Sequence, residues 1–164
     1  MKNCPSACAS PANQQNQGRF DGHKTCCQTQ RTKCENFAED ARQLWRRLVF
    51  NHLITNVDDH LQNIGFLYSG NNQWRLAPAF DLNPFPDKDR ESKTWLSEDS
   101  GPITSTQQLL VQAARFELSQ PQAQSILEEV AEAVSQWKDV ATSAEVGLQT
   151  QELNDFRPAF ERHI

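Results

Sequence analysis

From Phe37 onward the apolar residues fall into helical register. Ala41, Leu44, Trp45, Leu48, Val49 and Leu53 recur at three- and four-residue steps and form one stripe on a 3.6-residue period. Glu39 and Asp40 suit the first turn, where negative charge meets the positive end of the helix dipole. Arg42, Arg46 and Arg47 fall off the stripe and read as a solvated face, and His52 lies near the buried side as a packed histidine. The helix is expected to fail around Thr55-Asn56, two poor helix formers before an acidic pair. Ile64-Gly65-Phe66-Leu67-Tyr68 then reads as a short buried strand, Ser69–Asn72 as a turn, and Gln73-Trp74-Arg75-Leu76 as the returning strand. Pro78 and the run Asn83–Pro86 end regular structure. Residues 83–102 form a long polar loop, a kind that is usually functional or mobile. Leu109, Leu110, Ala113, Ala114 and Phe116 predict a helix of about three turns after Thr104-Ser105. Ser119 with Gln122 has the form of a capping box. It opens a helix whose stripe runs through Ile126, Leu127, Val130, Ala133, Val134 and Trp137. A weaker last helix is expected from Thr150 to Phe156, before Pro158 interrupts it.

Composition changes the picture mainly at the start of the chain. Residues 1–36 are rich in Gln, Asn, Ser, Thr, Gly and Cys and have no periodicity, too little apolar surface to offset chain entropy. Lys2, Arg19, Lys24, Arg31 and Lys33 make the segment basic, whereas the remainder is acidic. We therefore expect a leader over 1–36, disordered or foreign to the fold, and a folded lobe over 37–164. All five cysteines lie before residue 35. Cys4, Cys8, His23 and Cys26 do not match the paired spacing of a standard zinc site, and an odd count cannot pair fully within the chain. The net charge of −5 argues against direct nucleic-acid binding. No stretch approaches the roughly 18 apolar residues of a membrane span, and no secretory signal core is visible. A cytoplasmic protein without membrane contact is expected.

The candidate chemistry lies between the first helix and the hairpin, in Asn51–Asn63, with a second acid at Asp81 in Leu76-Ala77-Pro78-Ala79-Phe80-Asp81-Leu82. Phosphoryl transfer needs a base near the acceptor hydroxyl and oxygen ligands for Mg²⁺ on the nucleotide phosphates. In protein kinases the base and one metal ligand are spaced Asp-x-x-x-x-Asn, and a later Asp holds metal. Asp58 to Asn63 has that spacing and Asp59 to Asn63 does not, so Asp58 is the expected base. Each residue also has an ordinary structural reading: Asp59 capping a turn, His60 donating a structural hydrogen bond, Asp81 pairing with Arg75. A metal-dependent hydrolase using Asp58, Asp59, His60 and Asp81 is the weaker chemical alternative.

Residues from about 38 to 162 resemble the C-terminal lobe of HipA-like serine/threonine kinases, the toxin components of bacterial toxin–antitoxin pairs. The resemblance rests on Leu48-Val49-Phe50-Asn51 leading into Asn56–Asn63, and on Leu76–Leu82. It implies an α+β, mostly α fold: a kinase-like C-terminal lobe with a small hairpin after the catalytic loop. It implies Asp58 as catalytic base, Asn63 and Asp81 as Mg²⁺ ligands, and His60, Gln62 and Asn63 bordering the phosphates of ATP. A protein substrate, a DNA-binding antitoxin and a separately encoded nucleotide-binding lobe are the implied partners. The family usually has Lys where this chain has Gln62, and residues 1–36 offer no phosphate loop. A truncated lobe, inactive alone, is therefore expected, with a non-catalytic interaction module as the alternative.

Overall fold

The computed structural model describes residues 33–86, 91–97 and 99–162. Helix α1 (Phe37–Leu53) opens on Asn36, whose side chain accepts from the Glu39 N–H at 3.3 Å, and buries Ala41, Trp45, Leu48, Val49 and Leu53. It stops at Ile54, one residue before the expected breakpoint. A 3₁₀ turn (Leu61–Asn63) leads into a hairpin of β1 (Phe66–Gly70) and β2 (Gln73–Leu76). Asn71 and Asn72 both take positive φ, 47° and 60°, the conformation that lets a two-residue turn follow the twist of its strands. After the hairpin come α2 (Thr106–Val111), a 3₁₀ turn (Ala113–Phe116), α3 (Gln120–Ser135), α4 (Trp137–Thr142) and α5 (Thr150–Phe160).

The core lies between α1 and α3. Ala123, Ile126, Val130 and Val134 meet the α1 stripe, and Leu96, Ile103, Leu109, Phe116 and Leu118 complete it. Fully burying a side chain of this size is worth about 2 kcal/mol, so these contacts decide how the helices sit. Arg46 reaches across from α1 and forms an ion pair with Glu129 on α3, and that hydrogen bond holds the Glu129 carboxyl below its usual pKa. The fold is α+β and mostly α, as expected.

Several elements depart from the sequence reading. β1 is not buried: Leu67 and Tyr68 are both exposed. The hairpin is two-stranded and therefore leaves one face to solvent. The helix expected over 109–116 breaks at Gln112, where a 3₁₀ turn takes over, and the long stripe is split at Gln136 between α3 and α4. Pro158 does not end the last helix, which runs on to Phe160. Ala159 is fully buried and Phe160 stacks on Trp137 with ring centroids 4.6 Å apart; this packing holds the last residues helical after the proline removes one backbone bond. Cys4, Cys8, His23 and Cys26, with most of the 1–36 segment, lie outside the described residues. Its described end joins the hairpin: the Glu35 N–H donates to the Trp74 carbonyl at 2.8 Å, and Cys34 is buried beside it.

Candidate phosphoryl-transfer site

The loop after α1 is held in a conformation that its residues do not favour. Thr55 is β-branched and has φ of +54°, a conformation that costs on the order of 1–3 kcal/mol unless neighbours enforce it. Three bonds do so. Its N–H donates to the His52 carbonyl at 3.2 Å, its hydroxyl donates to the Ala159 carbonyl of α5 at 2.7 Å, and its own carbonyl accepts from the Phe85 N–H at 3.2 Å. Asn56 follows, buried, with its N–H on the Asn51 carbonyl at 2.8 Å and its side-chain amide on Asn51 Oδ1 at 3.2 Å. The start of the loop is thereby fixed to α1, to α5 and to the segment beyond Asp81.

The two adjacent aspartates then face opposite ways. Asp58 is exposed, and its Oδ1 pairs with the Lys93 ammonium and lies 3.8 Å from His60 Nε2. Asp59 points inward and is only 5% exposed. Its Oδ2 accepts from the Ser92 hydroxyl at 2.7 Å, and its Oδ1 accepts from the Lys93 and Thr94 N–H groups at 2.8 and 3.2 Å. The Thr94 hydroxyl returns a bond to the Asp59 carbonyl. Burial pushes the Asp59 carboxyl above its usual pKa, although the hydrogen bonds from Ser92, Lys93 and Thr94 pull the other way. The polar loop of residues 83–102 is therefore packed at this point, with Thr94 and Leu96 both buried.

Asn63 closes the loop. Its Nδ2 donates to the Asp58 backbone carbonyl at 3.0 Å, so its amide nitrogen is committed and its oxygen is left as an acceptor. Asp81 is exposed, has φ of +55°, and accepts from Asn83 Nδ2 at 2.7 Å. Asn63 lines one narrow crevice together with Asn51, Asn56, Asp59 and the Phe80 and Leu82 that flank Asp81. Loop and post-hairpin segment thus meet, as the order of the motifs implied. Gln62 is exposed, and His60 is half-buried with its Nδ1 buried and lacking a hydrogen-bond partner among the described residues.

Arg47 ties this segment to α1. Its guanidinium donates to the Ala77 carbonyl at 2.6 Å, and partial burial draws its pKa down against the opposing pull of Asp40. The reading of Arg47 as solvated is corrected accordingly. Gly65 allows Phe80 to approach, since a Cβ there would lie 3.2 Å from the Phe80 ring and 3.3 Å from the Ala77 methyl. Gly65→Ala is expected to cost about 1–2 kcal/mol by overpacking, read as a lowered urea midpoint, and to displace Phe80 next to Asp81.

Oxygen donors from one amide and one carboxylate suit Mg²⁺, which keeps several water or phosphate ligands and needs few from protein. Among the described residues no group of three or more His, Cys, Asp or Glu side chains is placed to hold a metal. The four-ligand cluster of the hydrolase alternative is not formed, and Asp59 is spent on Ser92, Lys93 and Thr94 instead. Those three partners were missed in the sequence. The sequence carries no signal for them, because Trp95 between Thr94 and Leu96 hides the alternation that burial shows.

Among the described residues no helix is long and apolar enough to cross a membrane. A family model for the HipA-like C-terminal domain matches residues 4–137, a range that crosses the composition boundary near residue 36. A Haemophilus influenzae protein named "Putative kinase" is 36% identical over 56 residues, which cover 32% of this chain and only 16% of that protein's length.

Proposed function

The chain belongs to the HipA-like C-terminal domain family, and on that footing we propose that it carries the base and the cation-binding oxygens of an ATP- and Mg²⁺-dependent serine/threonine phosphoryl-transfer site. One observation carries the reading. Asn63 is bonded to the Asp58 backbone and lines the same crevice as the residues on either side of Asp81. Asp58 would accept the proton of the substrate hydroxyl as its oxygen bonds to the γ-phosphorus, while the bond to the bridging oxygen breaks and its electron pair leaves with the diphosphate. Asn63 Oδ1 and the Asp81 carboxylate would hold Mg²⁺, and His60 and Gln62 would border the phosphates. Bound there, the ion neutralises charge on the nucleotide phosphates.

The sequence contains no glycine-rich phosphate loop, so turnover by this chain alone is expected to be slow. A separately supplied nucleotide-binding lobe would complete the site, and the exposed Leu61, Leu67, Tyr68 and Phe80 on the loop, the hairpin and the segment before Asp81 are the apolar surface it would cover. An antitoxin-like protein is the alternative partner for the same side chains.

The test is a titration of the ¹⁵N-labelled chain with ATP, with and without Mg²⁺. Weak, saturable, Mg²⁺-dependent shifts at Asn63 and Asp81 are expected, and Asp81→Asn should weaken the Mg²⁺-dependent part about tenfold, the worth of one charged contact. Shifts indifferent to Mg²⁺ and to Asp81→Asn would remove the reading.

A further inference from the structure

The loop Asn56–Asn63 carries two aspartates and neither lysine nor arginine. A site that transfers a phosphoryl group needs positive charge where the phosphate oxygens gather charge, and this loop's own sequence supplies no permanent cation, only His60, whose Nε2 lies 3.8 Å from Asp58 Oδ1. Gln62, exposed beside Asn63, is neutral. Arg47 reaches the crevice, but its guanidinium donates to the Ala77 carbonyl. Among the described residues a lysine from elsewhere in the chain stands at Asp58: the Lys93 ammonium pairs with Asp58 Oδ1.

Its placement is built into the fold. Lys93 sits between Ser92 and Thr94, and all three residues donate to the inward-facing Asp59 carboxylate, the flanking two through Ser92 Oγ and Thr94 N. The backbone of residue 93 is therefore fixed at the buried carboxylate. Its side chain, about half exposed, extends to the neighbouring, outward-facing one. One aspartate holds the lysine's backbone and the next receives its charge.

We infer that Lys93 is a catalytic residue of the proposed site, its ammonium bridging Asp58 and the transferring phosphoryl group, and that Asp59 is the residue that positions it. The inference rests on the phosphoryl-transfer reading. Lys93 neither gains nor loses a proton in the step; it contributes charge beside the forming and breaking bonds.

The experiment uses the full chain with Mg²⁺ and ATP as the probe. Affinity and unfolding midpoint are measured for the unaltered chain, Lys93→Gln, Lys93→Arg, and the double variant Lys93→Gln with Gln62→Lys. Lys93→Gln should weaken binding about tenfold, the loss of one charged contact. It should leave the unfolding midpoint nearly in place, because an exposed ion pair contributes little to stability. Lys93→Arg should retain most of the affinity. The double variant should recover it, since Gln62→Lys returns a cation to the same loop. Unchanged or tighter binding by Lys93→Gln, with Asp81→Asn still weakening it, overturns the role of Lys93 and leaves the kinase reading standing. Failure of the unaltered chain to bind Mg²⁺-ATP removes both.

Discussion

Asp58→Ala should lower whatever phosphoryl transfer this chain supports to a serine/threonine substrate by about 10²–10⁴-fold, the usual range for loss of a general base. Its stability should barely change. The carboxylate is exposed and its pairing with Lys93 is at the surface, where such pairs contribute on the order of 0–1 kcal/mol. The backbone carbonyl that accepts from Asn63 is untouched by the substitution, so the loop should keep its shape. Transfer measured with labelled ATP, beside a urea curve for the same preparation, separates chemistry from folding. Turnover that survives Asp58→Ala would assign the proton to another group and end the case for this residue.

Asp59→Ala should have the opposite signature, a loss of about 3 kcal/mol of stability. The substitution removes three hydrogen bonds to a single buried carboxylate, each worth about 1 kcal/mol. It strands the Lys93 N–H, while the Thr94 N–H keeps Ser92 Oγ at 3.1 Å and the Ser92 hydroxyl keeps the Thr94 carbonyl at 3.3 Å. Against a total stability of about 5–15 kcal/mol, that is a large fraction. Urea denaturation at neutral pH reads it directly, and a change below about 1 kcal/mol would mean that the donors find water instead. The pH dependence follows from the raised pKa. Above the ordinary value of 3.8, the folded chain still holds a proton at Asp59 that the unfolded chain has released. Asp59 therefore makes stability fall as pH rises from that value through the raised folded pKa, and Asp59→Asn should remove this slope. Two neighbours in sequence would thus divide the work, one acting on the proton and the other on the fold that places Lys93.

The first helix was legible because its stripe is long and regular, and burial of Trp45, Leu48 and Leu53 follows the period residue by residue. The spacing from Asp58 to Asn63 was legible for the same kind of reason: both lie in one short loop, where separation along the chain limits separation in space. That Asp59 would turn inward was not legible. Its partners are 33 to 35 residues away, in a stretch with no periodicity to place it against the loop. Gln112 and Gln136 break helices where the apolar stripe continues, since a hydrophobic pattern reports burial and not the direction of the axis. Pro158 misled in the other direction: local propensity predicts a stop, and tertiary packing of Ala159 and Phe160 overrides it.

The hydroxyl of Thr55 is bonded to the carbonyl of Ala159, 104 residues further on. During synthesis the ribosome makes the loop after α1 long before it makes that anchor. Until α5 has emerged and docked, nothing on that side holds Thr55 at its unfavourable φ. Closing a span of this length is slow compared with winding α1 or pairing the hairpin. The nascent chain would therefore acquire its core and hairpin first and the set of its loop last. Any activity would be withheld from the growing polypeptide until α5 is in place.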